Sequence, residues 1–231
     1  MHLMPDFLAK GLVMIRISLL LILLLSAKSV FASPLTLNYS LFFGYMKTEY
    51  KLQYEHVTNA FYLRDKKTGA ACLIKQALIV VDQKREPIKF EKEGRLLPFF
   101  SDQHRKDGAM IEVELLKGQT DFQCDLQVTL MAKELELDNL SLPRLALISE
   151  QLEGLLKKNA GMVGKYFLPT FSGVRLKLAE PLSALQLSAL DKQIGIAENG
   201  DLLLANSFLK ESKLDNLDEF KVARITPWLV K

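Results

Sequence analysis

The 231-residue chain is 49% apolar and 25% charged, with a formal net charge of +3. The first 32 residues hold Lys10, Arg16 and Lys28 against Asp6, so the remainder carries only +1. That near-balance, with no basic block interleaved with aromatics, excludes a nucleic-acid partner.

Residues 1–32 read as a cleavable secretory signal peptide. Lys10 and Arg16 form the positive flank, and Ile17–Leu25 is an almost pure apolar run. Val30 and Ala32 put small residues where a signal peptidase reads, and Pro34 follows, so cleavage is expected between Ala32 and Ser33. A membrane anchor needs about 20 apolar residues, whereas only eleven residues of any kind lie between Arg16 and Lys28. The mature chain is therefore expected to have no transmembrane segment. With no cysteine beside the cut, a lipid anchor is disfavoured. Met14 would also begin a compact leader.

The rest, about 200 residues, can bury one good core or two small ones. From Leu35 to about Met131 the pattern is strand-like. The clearest segment is Phe122–Leu130, where Phe122, Cys124, Leu126, Val128 and Leu130 alternate with polar residues, the period of a half-buried strand. Met110–Leu115 repeats it. Tyr50-Leu52-Tyr54, Ala60–Arg64, Leu73–Val81 and Leu96–Phe100 are further strand candidates. Asp65–Gly69, Asp82–Pro87, Glu93-Gly94 and Lys106–Gly108 separate them with turn chemistry. Ser40–Thr48 fits either a strand or one or two helical turns. Short strands at this spacing predict a sandwich or small barrel.

The acidic stretch Ala132–Ser141 marks a boundary. A helix is predicted next, near 142–160, with Pro143 in its first turn and Leu145, Ile148, Leu152, Leu155 and Leu156 as its apolar stripe. Lys157 and Lys158 suit its last turn, and Gly161 suits its stop. Beyond Gly164, Val174–Leu178, Gln193–Ile196, Asp201–Ala205 and Phe220–Ile225 are expected strands. The run Ala71–Asp82 is spaced like Glu180–Asp191, which hints at an internal repeat.

The expected fold is mainly β, α+β overall. A β-sandwich-like disulfide-bonded unit covers 33–131, an acidic linker and amphipathic helix cover 132–164, and a smaller strand-rich unit covers 165–231. Leu63–Ala71, the strand after it and Lys92–Leu97 resemble a transthyretin-like or carboxypeptidase-regulatory β-sandwich over about 40 residues. The leader, Tyr54–Arg64 and the two cysteine-bearing strands together resemble a family of exported gammaproteobacterial proteins that carry a domain of unknown function. That resemblance implies no activity and supplies no site.

Cys72 and Cys124 are the only cysteines, and export to an oxidising space favours a disulfide between them. With the two 52 positions apart in sequence, the crosslink should stabilise by roughly 3–4 kcal/mol on the chain-entropy model. Neither cysteine has a histidine at catalytic spacing. His56 and His104, with Glu55 and Asp107 beside them, lack the closely spaced pairs of a zinc site, so both histidines are expected to be solvated. Glu112 and Glu114 project from one strand face, as glycosidase carboxylates do, but a solvated sheet face explains them equally. Gly161, Gly164 and Lys165 lack the remaining positions of a phosphate loop. No catalytic, cofactor-binding or metal residue is assigned, and no cofactor is implied. Residues 39–62 hold eight of the chain's twenty aromatics, suited to a β-core or to a platform for sugar or peptide.

The expected role is a periplasmic, non-enzymatic module that binds an envelope protein or a cell-surface polymer. An envelope enzyme with an undisclosed site, and a protein held at the outer membrane through the helix, stand as alternatives.

Overall fold

A computed structural model describes residues 34–116, 123–138, 140–211 and 220–230. The leader, including Ala32 and Ser33, lies outside the described residues, as does Phe122.

Twelve strands among the described residues form three antiparallel four-stranded sheets. The first sheet has the order β1 (Leu35–Asn38), β7 (Met110–Leu115), β3 (Ile74–Val81) and β4 (Lys84–Pro87). The second runs β5 (Lys89–Phe90), β6 (Arg95–Leu97), β2 (Val57–Asp65) and β8 (Cys124–Ala132). The third runs β10 (Gly195–Ile196), β11 (Leu202–Ala205), β9 (Thr170–Leu178) and β12 (Val222–Val230). Five helices accompany them: α1 (Ser40–Leu52), α2 (Asp102–Lys106), α3 (Leu142–Gly164), α4 (Ala184–Ala189) and α5 (Asn206–Glu211). The chain is thus α+β and mainly β.

Residues 40–52 form a full helix rather than a turn or strand. Tyr39, Phe42, Phe43 and Met46 recur at helical spacing, and all four are buried. Tyr50 and Leu52, expected in a strand, are the last turn, and Gln53 ends it in the left-handed region at φ 51°. The alternation seen in Tyr50-Leu52-Tyr54 is too short to compete with that preceding stripe. Asp82–Pro87 was expected to be all turn. Only Asp82 and Gln83 turn, and Lys84–Pro87 pairs back on β3, from Val81 opposite Lys84 to Leu78 opposite Pro87. Asp82 has φ 51°, as a two-residue hairpin requires.

Helix α3 begins as its sequence predicts. The Ser141 hydroxyl accepts from the Arg144 amide at 3.4 Å, and Pro143 sits in the first turn. Leu142, Leu145, Ile148, Leu152 and Leu155 are buried. Gly161 leaves helical geometry at φ 73°, after which a short helical stretch runs to Gly164. The suggested repeat fails: residues 74–81 are a strand, but 184–189 are a helix, opened by a capping box between Ser183 and Gln186.

Two main cores result. The first joins α1 to the first two sheets through Phe42, Phe61, Leu63, Ile79, Leu96 and Ile111. The second packs α3 and α5 on the third sheet through Leu145, Leu152, Val174, Leu176, Leu204 and Ile225. Strand β2 is buried along most of its length because Phe61 and Leu63 enter the first core while Ala60 and Tyr62 pack with Met131 on the opposite side.

Candidate functional site

The disulfide is assembled by local turns. The Asp65 carboxylate accepts from the Lys67 amide at 2.9 Å, and from the Thr68 amide and hydroxyl at 2.8 and 2.9 Å. These bonds hold its pKa below the ordinary carboxylate value, those from Thr68 contributing most. Gly69 takes φ 70°, and the chain returns so that the Cys72 amide donates to the Leu63 carbonyl at 2.9 Å. Cys124 stands opposite Asp65 in the β2–β8 ladder. Both cysteines therefore reach the same end of β2, and they are disulfide-bonded with Cα atoms 6.3 Å apart. Gly94 is required beside them, since a Cβ there would lie 2.5 Å from the Cys72 carbonyl oxygen.

The other singled-out residues scatter. His56, expected to be solvated, is only 7% exposed. Its Nδ1 lies 3.1 Å from both Glu136 Oε1 and Arg144 Nη1, and its amide donates to Gln151 Oε1 at 3.0 Å. His56 thus ties the entry to β2 to the start of α3, through partners 80 or more residues away. His104 is also held in the fold: its ring meets Tyr39 and Phe99 edge-on at 5.9 and 5.2 Å, and its Nδ1 is buried without a hydrogen-bond partner. Glu112 and Glu114 pair with Arg85 at 2.9 Å and Lys75 at 2.6 Å, as ion pairs on a wetted sheet face do. Among the described residues no group of three or more His, Cys, Asp or Glu side chains is placed to hold a metal ion.

The aromatic segment divides between core and surface. Tyr39 is buried; its hydroxyl donates to the Phe99 carbonyl at 2.7 Å and accepts from the Ser101 amide at 2.9 Å. Burial pushes its pKa up, against the lowering effect of the Ser101 amide. Phe42, Phe43 and Phe61 are core. Tyr50, Tyr54 and Phe61 line an open cleft of about 480 Å³ where the end of α1 faces β2 and β6.

That cleft is the candidate site. One wall is a stacked aromatic pair, Tyr50 on Phe100, with ring centroids 5.0 Å apart and planes 14° from parallel. Phe43 backs Phe100 at 5.2 Å, which fixes that ring from behind. The floor holds Arg95, buried on β6 and oriented by Glu134 at 2.6 Å and Glu91 at 3.3 Å on Nη1. Its Nε is buried with no partner, an uncommon state for a guanidinium donor. Lys133 also lines the cleft, with Nζ donating to the Tyr54 carbonyl at 3.0 Å. Asn59 is fixed by Glu49, whose Oε2 accepts from its amide at 3.0 Å, and by the Tyr45 carbonyl, 3.2 Å from Nδ2.

Such a lining can stack a planar or sugar ring on Tyr50 while fixed cationic donors meet an anionic group beside it. The sequence reading missed Arg95, Phe100, Lys133 and Asn59. Asn59 left a signal, a carboxamide on the apolar face of a strand two residues from Phe61. Arg95 left none, because its closer anchor, Glu134, stands in a short helical turn that follows β8, far away in the sequence.

Among the described residues no helix is long and apolar enough to cross a membrane. No curated protein and no solved structure matches the chain. A family model described as a protein of unknown function, DUF2987, matches residues 31–178, ending with the last residue of β9. The match covers most of the chain, which therefore belongs to the DUF2987 family.

Proposed function

We propose that this is an exported, non-enzymatic binding module of the cell envelope, released to the periplasm by cleavage between Ala32 and Ser33. Its working parts are the disulfide-bonded β unit of 33–131, the linker and helix of 132–164, and the strand-rich unit of 165–231. The Cys72–Cys124 bond supports an oxidising compartment.

The observation that carries the binding role is the concavity itself, in which the Tyr50–Phe100 stack, Arg95 and Lys133 line one open cleft of about 480 Å³. The ligand is an envelope protein or cell-surface polymer that presents a carboxylate next to a ring. The carboxylate meets Arg95 and Lys133, and the ring lies on Tyr50.

A photo-crosslinking amino acid at Tyr50, 63% exposed at the rim of the cleft, tests this in the producing cell. An envelope component should be trapped there and not from Leu185, which is 82% exposed on α4 outside the cleft. Arg95→Met should abolish the adduct while the disulfide still forms. Equal labelling from both positions, or an adduct indifferent to Arg95, would remove the cleft from consideration.

A further inference from the structure

The end of α3 behaves unlike the rest of that helix. Up to Leu155 its stripe of Leu142, Leu145, Ile148, Leu152 and Leu155 is buried in the second core, and only Leu147 among the large apolar side chains of that stretch is exposed. Past Gly161 the order reverses. Met162 is 85% exposed, Val163 71%, Tyr166 78% and Phe167 81%. These four large apolar side chains fall within six consecutive residues and belong to neither core. Gly161, at φ 73°, breaks the helix just before them, and Pro169 follows them. The segment is therefore an exposed apolar tip at the junction between α3 and β9. A contiguous group of this kind is uncommon on a protein surface that meets only water.

The charge along the chain at the tip is one-sided. Between Glu153 and Glu180 the sequence has no acidic residue, while Lys157 and Lys158 precede the tip and Lys165 lies inside it. Lys157 bonds Glu153 at 2.6 Å. Lys165 holds its ammonium 5.0 Å from the Tyr166 ring centroid, which leaves the stem and ring as one amphipathic surface. Exposed apolar and aromatic side chains with lysines beside them in the chain are what a peripheral protein presents to an anionic bilayer. The side chains enter the headgroup–acyl boundary, and the ammonium groups remain with the phosphates.

The geometry points to a membrane-docking tip formed by Met162, Val163, Tyr166 and Phe167, whose occupant is the surface of a bilayer rich in anionic phospholipid. It goes beyond the cleft reading and does not depend on it.

Trp228 is the chain's only tryptophan, so an indole can be moved to the tip. In the full protein as the cell produces it, Phe167→Trp combined with Trp228→Phe makes emission report position 167 alone. This readout is blind to any other route of membrane attachment. With vesicles of equimolar phosphatidylethanolamine and phosphatidylglycerol the emission should shift to the blue, and brominated acyl chains should quench it. Pure phosphatidylcholine should give a much weaker response. Lys157→Gln, Lys158→Gln and Lys165→Gln together should raise the lipid concentration at half-response by about tenfold to a hundredfold, and added salt should do the same. An indole that stays at its solvent wavelength with saturating anionic vesicles overturns the proposal. So does a blue shift that appears without lipid and grows with protein concentration, because the tip would then be covered by a second copy.

Discussion

The two cores are built on different principles. The first sets four buried aromatic side chains, Tyr39, Phe42, Phe43 and Phe61, against each other and against aliphatic residues of strands far apart in sequence. Leu35 of β1 pairs with Val113 of β7, for instance. It also contains a disulfide and a tyrosine hydroxyl that anchors the Phe99–Ser101 loop. The second core is nearly all aliphatic, led by the leucines of α3, with Phe208 as its one buried aromatic. Long-range strand pairs bear a large loop-closure cost before any contact forms, and a covalent link reduces it. A long amphipathic helix laid on a sheet needs no such help. The cleft lies at the margin of the first core, sharing Met46, Phe61 and Leu96 with it.

The disulfide gives the strongest test of that contrast. Cys72→Ser with Cys124→Ser should cost about 4 kcal/mol on the chain-entropy model for a 52-residue separation. Hydrogen exchange should rise first in β2, β3 and β7, while amides of α3 and β9 stay protected. Simultaneous loss of protection everywhere would mean that the cores form one cooperative unit, and the contrast would be one of composition only. Leu152→Ala reverses the experiment. This fully buried leucine touches only the second core, and its truncation should cost about 3 kcal/mol in a denaturant titration, with exchange rising in α3 and β9.

Tyr39→Phe asks a finer question of the first core. It strands the Phe99 carbonyl and Ser101 amide, and should cost about 1–2 kcal/mol at neutral pH. Because burial raises the pKa of Tyr39 and of Tyr62, each contributes stability that is complete below the unfolded tyrosine pKa and is lost as pH rises through the folded one. Alkaline titration should therefore weaken the protein above the ordinary tyrosine range, and Tyr39→Phe should flatten that limb. An unchanged limb would assign it to Tyr62. The smallest effect is expected from Ser183→Ala, which removes the capping box of α4 and should lower stability by about 1 kcal/mol.

Asp65 supplies an acid counterpart. Its pKa is lowered in the fold, so its turn contributes stability above the unfolded carboxylate pKa that is lost as pH falls through the lower folded value. Asp65→Asn should shallow the acid limb of a stability profile. A limb that keeps its slope would show that the turn bonds have no energetic role.

Elements whose signal is a repeated local period were legible before the structure was known. The alternation of Cys124–Leu130, the stripe of α3 and the turn glycines at 69 and 94 depend on neighbours a few residues away, and all appear where expected. The cysteines could be paired because only two exist and both lie on apolar runs. What the sequence could not determine is what faces what. His56 and Arg95 look like ordinary surface residues, yet each is buried by charged partners from distant segments. The extended chain between Tyr50 and Phe100 likewise gives no sign that their rings will stack. Periodicity records which side of an element is apolar, and that is fixed by covalent spacing. A cleft is set by how separate elements meet, and only tertiary packing decides that.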